Sequence, residues 1–128
     1  RFYSTMKITI PTNIYRFYRQ LLDLLDSFDP IKGLRNRELD VLAQIMKYNY
    51  IYKNVPEEIR STVIFSKKIK DEMEETLGIS EDVLNNNLSV LRKNNILSKD
   101  NQLIKFLNIY PGDTFDFIIS FKIKKSEK

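Results

Sequence analysis

The chain has 128 residues, 42% hydrophobic and 30% charged, a balance that suits one globular domain with a proper core. It holds no cysteine and no histidine, which excludes disulfides, thiolate metal sites and the Ser-His and Cys-His nucleophile arrangements. The net charge is +4 and the pI near 9.2, which accommodates an anionic partner without requiring one.

Met6 fits a natural start. Alternatively, Arg1-Phe2-Tyr3-Ser4 resembles the end of a mitochondrial presequence, with no acidic residue before Asp23. Lysine, asparagine and isoleucine are abundant and glycine is scarce, a bias that an AT-rich genome would produce. A phage, a plasmid or a low-GC bacterium fits, so the expected location is a bacterial cytoplasm or a virion. No apolar run approaches the roughly 20 residues needed to span a bilayer.

Phe2 to Ile10 is rich in β-branched and aromatic residues and is expected to form a short strand or an ordered arm, broken by Pro11. Thr12 or Asn13 can cap a helix running to about Ser27, with Ile14, Phe17, Tyr18, Leu21, Leu25 and Phe28 at helical spacing. Asp29, Pro30 and Gly33 mark a loop. A second helix is expected from Asn36 to about Tyr48, burying Leu39, Leu42, Ile45 and Met46. Residues 49–65 read as a longer connection in which Val63-Ile64-Phe65 could be a small strand. Ser66 can cap a third helix that buries Ile69, Met73 and Leu77.

Gly78 can take the left-handed conformation that ends this helix, and Ser80 can cap the next, from Glu81 to about Asn94. Leu84, Leu88 and Leu91 form its apolar stripe, closed by Ile96-Leu97. After a turn at Lys99-Asp100-Asn101, Gln102 to Asn108 reads as a strand. Pro111-Gly112-Asp113 is a second turn. Thr114 to Lys124 alternates Phe115, Phe117, Ile119, Phe121 and Ile123 on one face, the signature of a second strand.

Gly78-Ile79-Ser80 followed by the leucine stripe resembles the helix-turn-helix of winged-helix DNA-binding proteins. The segment Leu34 to Ile45, LRNRELDVLAQI, is similar to the first helix of several bacterial helix-turn-helix families. The resemblance covers about residues 34–123. It implies an α+β, mainly helical fold: a winged helix-turn-helix with an extra N-terminal helix and a C-terminal β-hairpin wing. The expected division is an N-terminal arm and helix over 1–33, the winged domain over 34–124 and a tail over 125–128.

The resemblance further implies a double-stranded DNA partner, with the second helix of the motif in the major groove. Asn86, Ser89 and Lys93 would then face bases, with Asn86 suited to adenine, and Asn85 is a further DNA-binding candidate. Lys67, Lys68 and Arg92 would hold phosphates, and Lys99 and Lys105 would supply the wing. Two features oppose this. Glu81 and Asp82 open the reading helix, where they also suit its positive dipole end. Residues 66–97 carry five basic against six acidic side chains. Lys67–Asp71, Lys68–Glu72 and Lys70–Glu74 are equally readable as pairs within one helix.

The DNA-binding reading includes a homodimer joined through the first helix, with Tyr15 and Tyr18 as interface residues, and the alternative is a non-catalytic interaction or assembly module such as a phage virion or complex subunit. Three glycines allow neither a Walker loop nor a dinucleotide fingerprint. No enzymatic activity, cofactor or metal is expected.

Overall fold

The computed structural model describes residues 4–125. Five helices account for its regular structure: α1 (Ile14–Leu25), α2 (Asn36–Ile51), α3 (Glu57–Ile64), α4 (Lys67–Leu77) and α5 (Glu81–Lys93). A single-turn 3-10 helix follows at Lys105–Leu107.

The helix starts have local causes. The Asn13 side chain accepts from the Arg16 N–H at 2.9 Å and caps α1. Glu38 reaches back to the Arg35 N–H at 2.8 Å at the start of α2. Ser66 and Ser80 cap α4 and α5 by accepting from the Ile69 and Val83 N–H groups. Gly78 sits at φ +66 and ends α4 in the left-handed region. Its N–H and that of Ile79 close onto Glu75 and Glu74 carbonyls at 3.3 and 3.0 Å.

α2 is the centre of the packing. Leu39, Val41, Leu42, Ala43, Ile45, Met46 and Tyr48 are buried on several sides of it, the burial pattern of an enclosed helix. α1 covers it with Tyr18, Leu21, Leu22 and Leu25, and Arg19 joins the two helices by donating to Asp40 at 2.7 Å. α5 packs opposite with Leu84, Leu88 and Leu91, and α4 adds Ile69 and Met73. These side chains form one continuous core, so the N-terminal helix belongs to the same packed unit as α4 and α5.

The expected β-hairpin wing is absent among the described residues, and the fold is helical. Only one isolated bridge, Leu97 to Leu103, stands where a hairpin was expected. The backbone bonds flanking it run from the Ser98 N–H to the Gln102 carbonyl and from the Ile104 N–H to the Ile96 carbonyl, both at 2.9 Å. The stretch from Gln102 to Asn108 cannot continue as a strand because the helical core captures its end. Leu107 is fully buried, Asn108 accepts from the Asn49 amide at 2.8 Å, and the Ile109 carbonyl accepts from the Tyr18 hydroxyl. Thr114 to Lys124 therefore has no neighbouring strand and forms none. Residues 4–10 are likewise exposed and form no strand; Phe2 lies outside the described residues.

Two smaller expectations also change. The connection at 49–65 contains α3, and Val63-Ile64 end that helix rather than forming a strand. Pro56 precedes it, and Glu57 and Glu58 complement the positive end of its dipole. Within α3, Arg60 is buried without a carboxylate partner. Its guanidinium donates to the Lys53 and Val55 carbonyls, to Asn49 Oδ1 and to the Tyr110 hydroxyl, the last at 2.7 Å. The two carbonyls lie just beyond the C-terminus of α2, where the helix dipole presents negative charge.

Two predictions follow from this packing. A Cβ on Gly78 would meet nothing within 4 Å, so Gly78→Ala carries only the backbone cost of the left-handed region, about 1–2 kcal/mol. Urea unfolding of the two proteins measures it, and an unchanged midpoint contradicts the assigned turn. The second concerns alkaline pH. Burial, then the hydrogen bond donated to Glu72, pushes Tyr48 from 10.0 up to about 12, and burial raises Tyr18 as well. The folded protein holds these protons where the unfolded chain releases them. Stability is therefore complete below about pH 10 and falls as pH rises through the folded-state values. Phenolate absorbance should show Tyr18 and Tyr48 ionising only as the helical circular dichroism is lost. Ionisation of all seven tyrosines in one step near pH 10 with helices intact is the contrary result.

Candidate nucleic-acid interface

α4, Gly78 and α5 form two helices joined by a tight turn, and the apolar stripe of α5 fixes what its other face shows. Leu84, Leu88 and Leu91 point into the core, so Glu81, Asp82, Asn85, Asn86, Ser89 and Lys93 are exposed. Asn87 differs from its two neighbours. It is buried with Leu84 and Leu88, and its amide nitrogen has no hydrogen-bond partner. The three-asparagine run is therefore split between surface and core.

The charged side chains divide between the two ends of α5. Its start holds Glu81 and Asp82, with Lys67 near enough to feel Glu81. Lys67 donates to Asp71 at 3.1 Å across one helical turn. The hydrogen bond to Asp71 raises the Lys67 ammonium above its ordinary value, and the charges of Glu81 and Glu74 act in the same direction. Lys68 is exposed, and Glu72 accepts instead from the Tyr48 hydroxyl at 2.9 Å.

The far end, about 18 Å away at 1.5 Å per residue, is basic. Arg92 is half-buried and donates through Nε to Asn101 Oδ1 at 2.8 Å. That bond ties the loop 98–102 to the helix. The loop is closed from within, because Ser98 Oγ accepts from the Asp100 and Gln102 N–H groups at 3.1 and 3.0 Å. Lys99 is exposed on this loop. Lys105, also exposed, lines a shallow depression with Asn95, Ser98 and Gln102. Lys93, Lys99, Lys105 and Arg92 thus gather around the C-terminus of α5, with Asp100 as the acidic residue of the loop.

The structure brings Asn86, Ser89 and Lys93 onto one exposed face and joins Arg92, Lys99 and Lys105 to its end. It places Lys67 and Lys68 at the opposite, acidic end. Positive charge at a helix C-terminus and negative charge at its N-terminus both complement the dipole, so part of this gradient stabilises α5 itself.

The expected aromatic interface on α1 does not hold for Tyr18. Its ring is fully buried and its hydroxyl is committed to the Ile109 carbonyl. Tyr15 is half-buried beside Asp40 and Arg19. Phe17 packs edge-on against Tyr18 and Phe115, with ring centroids 4.9 and 5.0 Å away. Sequence reasoning missed Arg60 and Tyr110. Nothing in the pattern around Arg60 distinguishes it from a surface cation, because its partners are carbonyls and side chains distant along the chain.

Among the described residues no helix is long and apolar enough to cross a membrane, and no group of three acidic side chains is placed to hold a metal ion. No family model, curated protein or solved structure matches this chain.

Proposed function

We propose that the chain is a non-enzymatic, double-stranded DNA-binding protein that approaches the duplex with the C-terminal half of α5 and the loop after it. The observation that supports this is the convergence of Lys93, Arg92, Lys99 and Lys105 at one end of an exposed polar helix face. Asn86 and Ser89 supply hydrogen-bonding groups for base edges, and the basic end supplies phosphate contacts. Glu81 and Asp82 make the usual N-terminal insertion of such a helix unfavourable, since phosphates repel both carboxylates. Lys67 and Lys68 then contribute less than their position in the motif implies. Transcriptional or replication control in a phage, plasmid or low-GC genome is the setting that composition favours.

A second reading is a protein-interaction or assembly subunit. The exposed apolar side chains of residues 115–123 favour it, because a partner would remove them from water.

Fluorescence anisotropy with a mixed-sequence duplex over a salt series tests the first reading. Three or four phosphate contacts per chain give, for each chain engaged, a slope of log affinity against log salt of about −3. Lys93→Ala with Lys99→Ala should flatten that slope by about two, and Lys67→Ala with Lys68→Ala by less. Absence of binding at low salt refutes DNA recognition. A larger effect from the Lys67 and Lys68 pair refutes the approach through the C-terminal end.

A further inference from the structure

Residues 113–125, DTFDFIISFKIKK, set Phe115, Phe117, Ile119, Phe121 and Ile123 on one side of an extended chain, with Ile118 the one apolar residue on the other, yet no strand pairs with them. Ile118, Phe121 and Ile123 are 82%, 86% and 86% exposed. A segment so patterned presents unpaired backbone groups and an apolar row to whatever strand can meet it. What meets it is encoded in its charges. The acidic residues, Asp113 and Asp116, lie in the first half, and the basic residues, Lys122, Lys124 and Lys125, lie in the second.

We propose that this segment pairs antiparallel with the same segment of a second copy of the chain, about a two-fold axis at Ile119. In that register Ile119 faces Ile119, Phe117 faces Phe121, and Phe115 faces Ile123, so one side of the ribbon is apolar along its length. Asp113 faces Lys125 at each end of that side. On the other side Asp116 faces Lys122, Thr114 faces Lys124, and Ile118 faces Ser120. Each ion pair occurs twice by symmetry, the isologous arrangement of a two-fold dimer. Parallel pairing in register would set Asp116 against Asp116 and Lys122 against Lys122, which like charges disfavour. An antiparallel register two residues earlier places Asp113 against Ile123 and Asp116 against Ser120, losing both ion pairs. The exposed N-terminal segment, with Met6, Ile8 and Ile10, is the other strand-like sequence among the described residues. Residues 4–10 contain one charge, Lys7, and no acid, so this segment cannot answer the lysines.

A two-stranded ribbon alone is marginal in water and needs a surface beneath it. α1 provides one. Phe115 already rests edge-on against Phe17, and exposed Leu24 lies two helical turns further along the same side of α1. The two-fold axis carries the second copy's Phe115 and α1 to the other end of the ribbon, so both ends of the apolar side are covered. This dimer is independent of what α5 binds.

Sedimentation equilibrium of the full chain tests the proposal. The wild type should show the mass of a dimer. Asp116→Lys alone should weaken association roughly tenfold or more, because it opposes Lys122 at two symmetric positions. Lys122→Asp alone should do the same by opposing Asp116. An equimolar mixture of the two single variants should recover the dimer, since each then meets its complement. The double variant carrying both substitutions should also dimerise. Both positions are exposed on an unpaired segment, so helical circular dichroism should not change. A monomeric wild type, single variants that keep the dimer mass, or a mixture that stays monomeric would each overturn the proposed pairing.

Discussion

The enclosure of α2 is the constraint on which the rest of the molecule depends. A helix buried on several sides can expose few polar groups, and those it carries inward must be bonded or left unpaired at a cost. Asn49 is one such group. It bonds Arg60 from α3 and Asn108 and Tyr110 from the C-terminal segment. Arg60 in turn holds the carbonyls of Lys53 and Val55 beyond the end of α2. One polar cluster therefore closes the C-terminal end of the central helix, positions α3 and anchors residues 108–110. Gln44, the other buried amide of α2, keeps an unpaired oxygen, and Asn87 on packed α5 keeps an unpaired nitrogen. An acceptor and a donor thus remain open on two helices that pack against each other.

Capture of residues 107–110 by this cluster also explains the missing wing. A hairpin needs two adjacent lengths of extended chain. Here the first length turns into a 3-10 helix so that Leu107 can enter the core and the Tyr18 hydroxyl can reach the Ile109 carbonyl. The second length then has no strand beside it. Alternation of apolar residues describes a surface that wants a partner, and it does not specify whether that partner lies in the same chain.

The boundaries of α4 and α5 were legible because their determinants are local. Gly78 ends one helix, Ser80 begins the next, and Leu84, Leu88 and Leu91 define a buried stripe within a few turns. Features set by distant contacts were not legible in the same way. Arg60 reads as solvent-exposed until Asn49 and Tyr110 converge on it, and α3 has too few apolar residues to announce itself by periodicity. Arg92 reads as a phosphate contact, whereas part of its guanidinium holds Asn101 and shapes the loop that presents Lys99. Tyr18 reads as an amphipathic interface residue, but its hydroxyl finds a partly buried acceptor 91 residues away.

These distinctions bear on the proposal that α5 and its loop hold DNA without a wing. Phosphate neutralisation supplies most non-specific affinity, and one α5 with its loop offers about three or four cations. That is few, and the acidic start of α5 works against them. A two-fold assembly changes the balance without altering any contact. On the DNA-binding proposal it would double the cations presented to one duplex and make the second engagement intramolecular, at an effective concentration far above that of free protein. The proposed dimer would also relate the two copies of α5 by a two-fold axis, the relation by which dimeric helix-turn-helix proteins match the symmetry of their sites. If both proposals hold, the weak charge of α5 and the self-complementary charge of residues 113–125 would complement each other, with pairing of chains supplying part of what a wing supplies elsewhere.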